Sequence, residues 1–156
     1  MKIEKDIIGL AAEFAVASEL CKRNIYAQLT LGMRKRIDIL VETEKSMLRI
    51  QVKGKQGKEW PSCKGIWGKD IVLVFVDFEK KKENERPDFY ILTVEDWKKL
   101  LEKELKLSGK VENGEVIIDK KNIPTWKDGY SGMVIEPEMI KEFKERWDKI
   151  ANLVGD

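Results

Sequence analysis

Residues 71–77 read IVLVFVD: six apolar residues in a row with no turn former among them. β-Branched and aromatic side chains favour a strand, and a strand without a polar side must be covered on both faces. The fold therefore needs apolar layers on either side of a sheet, and the chain has material for them. Residues 5–23 place Ile7, Leu10, Ala11, Phe14, Ala17 and Cys21 at the spacing of one buried helical face. Gly9 and Ala17 sit one turn to either side of Glu13, small enough to let other backbone come close. DFYIL predicts a further strand. Thr93, with Asp96 three residues on, then opens a helix running to about Leu105. Asn113-Gly114 marks a turn before EVIID. Pro137 starts a last helix carrying Met139 or Ile140, Phe143, Trp147 and Ile150 on one core-facing stripe. With 156 residues, no internal repeat and no linker, a single domain over 1–156 is expected.

Between these elements lies a polar anomaly. Residues 25–31, 37–42 and 47–53 read as three strands, with Gly32 starting a basic turn and TEKS joining the last two. A hairpin centred between Glu44 and Lys45 pairs positions whose numbers sum to 89, which sets Asp38 opposite Gln51. Lys53 lies two residues further along and shares their face. Ile37, Ile39, Val41, Leu48, Ile50 and Val52 take the other face. A carboxylate, an amide and an amine thus gather on one side of a sheet. The Gly-, Lys- and Trp-rich stretch 54–70 follows, too polar for a core element and long enough to be functional.

Composition narrows the chemistry. The chain has no histidine, which excludes Ser-His-Asp hydrolysis, histidine zinc sites and histidine bases. No phosphate-binding glycine motif is present. What remains is carboxylates, lysine, backbone carbonyls and a hard metal ion. Cys21 and Cys63 form no C-x-x-C pair and suit reduced thiols in a cytoplasmic protein. No apolar run reaches the roughly 20 residues of a membrane span, and the acids of MKIEKDIIGLAAEF are unlike a signal peptide. Net charge is +2, but residues 33–69 hold ten basic and four acidic residues, +6 against −4 for the rest. That asymmetry suits a polyanion, or a plain solvated lysine-rich surface.

In order, placement and residue type, GLAAEFAVASEL with Glu13, RIDILV with Asp38 and RIQVKGK with Gln51 and Lys53 resemble the PD-(D/E)XK nuclease superfamily. The similarity extends over roughly residues 5–105 and is greatest to small Holliday-junction-resolvase-like and restriction-type members. It implies a restriction endonuclease-like fold, a mixed β-sheet flanked by helices (an αβββαβ-type core) with an added C-terminal helix. It implies an endonuclease that hydrolyses phosphodiester bonds in DNA, duplex or branched, with Mg²⁺ or Mn²⁺. Asp38, the Gln51 amide oxygen, the Val52 carbonyl and Glu13 would hold the ion, and Lys53 would act on the attacking water. Gln51 stands where the family usually has an acid, Ile37 where it often has proline, and the loop before Asp38 offers Thr30 and no serine.

Arg34, Lys35, Arg36, Lys55, Lys58 and Lys64 are the expected phosphate contacts, which position a substrate without reading its sequence. Trp60 and Trp67 suit stacking on an unpaired base, or packing of their loop. Members of the family often dimerise to cut two strands, so a homodimer is among the expected partners. Plainer roles stay open: Asp38 in a surface pair with Arg36 or Arg49, Gln51 satisfying a buried backbone group, Lys53 guarding a sheet edge, Glu13 on the surface. The alternative function is a nucleic-acid-binding or protein-interaction module of this fold that does not cut.

Overall fold

A computed structural model describes residues 1–33 and 37–155. Helix α1 (Lys5–Cys21) precedes strands β1 (Gln28–Leu29), β2 (Ile39–Glu42), β3 (Met47–Lys55), β4 (Trp60–Cys63), β5 (Ile71–Asp77) and β6 (Asp88–Thr93). Helix α2 (Val94–Leu101) continues into a π-helical turn (Glu102–Lys106). Strands β7 (Val116–Ile118), β8 (Pro124–Trp126) and β9 (Met133–Ile135), a 3₁₀ segment (Pro137–Phe143) and helix α3 (Asp148–Val154) complete the chain. Five strands form one mixed sheet in the order β1-β2-β3-β5-β6. Only β3 and β5 run parallel. The crossover between them carries β4 rather than the helix usual between parallel strands, and β4 pairs with β9 in a small separate sheet.

The apolar run 71–77 is the middle of this architecture. Val72, Val74 and Val76 join Ala12, Val16 and Leu20 of α1 in one core, while Leu73 and Phe75 join Trp60, Trp97 and Leu92 in a second core on the opposite face. A strand between two cores has no use for a polar face. The hairpin follows the expected register, with Ile39 opposite Ile50 and Val41 opposite Leu48. Thr93 caps α2 through the reciprocal bonds with Asp96, as its spacing foretold.

Four expectations are corrected. The buried ridge of α1 is Ile8, Ala12, Val16 and Leu20, not Ile7, Leu10, Phe14 and Cys21; Ile7 and Phe14 are 51% and 55% exposed. Both rows have helical spacing, and the deciding feature is Gly54 on β3. A Cβ there would stand 2.7 Å from Ala12 Cβ and 3.1 Å from the Ile8 carbonyl, so helix and strand meet at that glycine, while Gly9 faces open space. The stretch 54–70 is no outer loop: Trp60, Cys63 and Ile66 are buried, because β9, some 70 residues later, supplies the partner strand that local polarity concealed. The first expected strand shrinks to Gln28–Leu29. The last helix is two pieces, broken where Glu145 takes φ +56°, although Ile140, Phe143, Trp147 and Ile150 are all buried as foreseen. No helix among the described residues is long and apolar enough to cross a membrane.

Candidate metal and nucleic-acid site

The site forms where β2 ends before β3 does. The Asp38 amide donates to the Ile50 carbonyl (2.9 Å), the last backbone rung between the two strands. Upstream of it the backbone turns toward Thr30, whose hydroxyl donates to the Ile37 carbonyl (2.7 Å) and whose amide donates to the Asp38 carbonyl (3.0 Å). Strand β3 runs on alone on that side. Its peptide groups alternate direction: the Arg49 amide bonds the Asp70 carbonyl on the β5 side, so Val52, like Ile50, directs its amide and carbonyl to the side β2 has vacated. The Asp38 carboxylate fills the gap, accepting the Val52 amide proton through Oδ2 at 2.7 Å.

Glu13 reaches the same gap from α1. Its carboxyl faces that of Asp38 and is pushed up to about 7, by burial first and then by the Asp38 charge and the sharing of a proton with it. Two carboxyl groups this close cannot both ionise at ordinary cost. On the far side of the sheet, Gln51 is 7% exposed and follows Asp38 in the hairpin register. Lys53 is half-buried, with its charge felt at Cys63, where it opposes the burial that pushes that thiol up to about 12. The direct contacts run Glu13–Asp38–Val52; Gln51 and Lys53 flank them as successive same-face residues of β3. Among the described residues no three acidic or cysteine side chains converge. The groups that meet in the gap, two carboxylates beside a backbone carbonyl, are hard oxygen donors of the kind a divalent cation takes.

The expected phosphate contacts divide three ways. Arg34, Lys35 and Arg36 lie outside the described residues. Lys58 and Lys64 are exposed. Lys55 is corrected: it is 4% exposed, bonded to Asp77 (2.6 Å), the Gly57 carbonyl (2.8 Å) and Glu79 (3.3 Å), with its ammonium 4.8 Å over the Trp60 ring. It follows Arg49, Gln51 and Lys53 by strand alternation, but the second core closes over it before it reaches solvent. Trp60 is likewise interior, edge-on to Phe75 and Tyr90, so it is withdrawn from any stacking role. Sequence reasoning missed the 119–122 turn, which sets exposed Lys120 and Lys121 beside the 64–69 loop, with the Lys121 ammonium 5.4 Å over the Trp67 ring. Only the tertiary fold joins segments 54 residues apart in the chain. Thr30, which fixes the backbone at Asp38, was visible only as a missing serine.

No family model matches the chain, and no curated protein matches it. Among solved structures it is similar to a bacterial homing endonuclease, I-Ssp6803I, at 19% identity and a TM-score of 0.47, covering 94% of this chain and 92% of that one.

Proposed function

We propose that the chain is a divalent-metal-dependent endonuclease acting on DNA. The observation that carries this reading is the Glu13–Asp38 carboxyl pair, facing each other in a half-buried gap beside the Val52 peptide, where neither carboxylate has an ion pair among the described residues. A pair that contests one proton near pH 7 accepts a divalent cation in the proton's place. The donor set fits Mg²⁺ or Mn²⁺: Asp38 and Glu13 supply charge, Gln51 Oε1 and the Val52 carbonyl supply neutral oxygens, and the remaining positions fall to water and substrate phosphate. When bound, such an ion offsets the repulsion between an anionic phosphodiester and its nucleophile.

The protein's own groups do the rest. The Val52 amide fixes the Asp38 carboxylate, leaving its other oxygen toward the gap. Glu13, ionised once a cation replaces the contested proton, would hold the cation and its water from the helix side. Lys53 holds the attacking water and balances charge as that water adds to phosphorus, the ester P–O bond breaks and the departing oxygen gains a proton. Lys58, Lys64, Lys120 and Lys121 offer sequence-independent phosphate contacts.

The test is a titration of the full chain with Mg²⁺ and Mn²⁺ against a mixture of duplex, branched and single-stranded DNA, with Lys53→Ala as control. Cleavage that needs the ion and falls by at least about 10²-fold in the variant is expected, the range for a lost acid–base or electrostatic group. Salt-dependent binding with no cleavage under any metal would instead establish the non-cutting module.

A further inference from the structure

A cavity of about 160 Å³ opens beside Gln51, lined by Ile37, Arg49, Gln51, Ile66, Trp67 and Ile71 among others. We propose that it is a subsite for one unpaired nucleobase of the substrate strand, adjoining the scissile phosphate; this rests on the nuclease reading and names its substrate class.

Four features of the cavity argue for a base. Its volume is well below the roughly 300–1,000 Å³ of pockets that enclose whole drug-sized ligands, so it suits one planar ring system and not a whole nucleotide. An indole and three isoleucines supply the apolar, stackable lining that a heterocycle needs, and base–aromatic stacking tolerates any sequence. Polar groups stand at its edge in the right places. The Arg49 guanidinium is oriented by a hydrogen bond to the Lys69 carbonyl. Gln51 serves both sites: with Oε1 toward the cation, its NH₂ is left to donate to a base acceptor. Finally, the surroundings are cationic: Lys121 stands over the Trp67 ring, and Lys64 and Lys69 are exposed on the loop that supplies Ile66 and Trp67 to the lining. Arg49 and Gln51 are i and i+2 on β3, about 7 Å apart, so a base beside Arg49 leaves its own phosphate near the gap at Asp38.

A fully paired duplex keeps its bases stacked inside and has nothing to insert. The subsite therefore favours single-stranded, branched or locally opened DNA, since the cost of unstacking is least there.

The experiment uses the full chain in EDTA, so that cleavage does not enter the readout. Oligonucleotides carry 2-aminopurine at successive positions, in single strands, in duplexes with a central unpaired bubble and in perfect duplexes. The indole N–H resonance of Trp67, assigned from the Trp67→Phe spectrum, is followed in parallel. A 2-aminopurine signal confined to one position, tighter binding of the bubble than of the duplex, and a Trp67 shift that disappears when that one nucleotide is abasic are expected. Trp67→Leu should weaken single-strand binding roughly tenfold or more, while Trp67→Phe restores most of it and Lys45→Ala, at the exposed hairpin turn, leaves it intact. Equal binding of bubble and duplex, or a Trp67 resonance indifferent to the abasic site, overturns the subsite. If the base signal survives while Lys53 proves irrelevant to any cleavage, the nuclease reading fails and the subsite stands, so the two failures are distinguishable.

Discussion

Replacing Glu13 by glutamine should stabilise the ion-free protein. The Glu13 carboxyl is displaced from 4.5 to about 7, chiefly by burial and then by Asp38. At about 1.4 kcal/mol for each tenfold change in proton affinity, that corresponds to roughly 3 kcal/mol of strain when both groups are ionised. The group is only half-buried, and screening by solvent reduces the figure to about 1–2 kcal/mol. The sign follows from linkage: a group whose midpoint is raised on folding contributes stability below its unfolded value, and that stability is lost as pH climbs through the folded one. Wild type should therefore lose stability between about pH 4.5 and 7 through this residue. Glu13→Gln, which keeps a donor toward Asp38 but carries no charge, should not. Thermal melts in EDTA at pH 4.5, 6 and 8 read the difference directly. The variant should melt with wild type at pH 4.5 and about 3–6 °C above it at pH 8, taking roughly 2–4 °C per kcal/mol for a chain of this size. Adding Mg²⁺ at pH 8 should reverse the order, since a ligand at 100 times its Kd contributes about 2.7 kcal/mol and the variant lacks one anionic donor. A variant less stable than wild type at pH 8 without metal, or a gap that does not change with pH, refutes the carboxyl pair as a site awaiting a cation.

Three further outcomes are expected. Lys55→Ala should cost about 3–5 kcal/mol in urea unfolding because it strands Asp77 without its partner; a lysine that merely touched DNA would alter the salt dependence of binding and leave the unfolding midpoint in place. Gly54→Ala should cost about 1–3 kcal/mol, since its Cβ meets Ala12 at 2.7 Å and the α1–β3 contact must open; calorimetry reads this, and a neutral result means the contact relaxes freely. Gln51→Glu adds a third carboxylate beside the gap, at a buried position. It should lower the melting point in EDTA at pH 8 and tighten Mn²⁺ binding by titration calorimetry, and unchanged affinity would place residue 51 away from the ion.

The hairpin was legible because its information is local. Turn position and a period of two determine which side chains share a face, so Asp38, Gln51 and Lys53 could be set in register before any coordinates. Helix α1 was legible as a helix but not in orientation, since two rows of apolar residues satisfy the same spacing and the choice between them is made by Gly54, on another element. The burial of Trp60 and Lys55 was hidden for a related reason. Both depend on cover built in part from β9 and the segments around it, and a stretch rich in glycine and lysine looks solvated until that cover is known. The approach of Lys121 to Trp67 is purely tertiary. Residues that act through neighbours in sequence were thus visible, and those that act through neighbours in space were not.

On the proposed metal reading, the amide at position 51 has a reason in where the site lies. The gap at the end of β2 receives Glu13 from one face of the sheet and adjoins Gln51 and Lys53 on the other. Two carboxylates already contest a proton there, and Gln51 is more deeply buried than either. A third acid at that depth would carry the largest desolvation penalty of the three, whereas an amide supplies an oxygen to a hard cation without adding to the repulsion. It also keeps an NH₂ that no carboxylate has, on a side chain that lines the cavity shared with Arg49 and Trp67. On that reading, glutamine in place of an acid would give up some attraction for the ion and gain a donor for the substrate, so its effect should appear in which DNA is bound as well as in how tightly the metal is held.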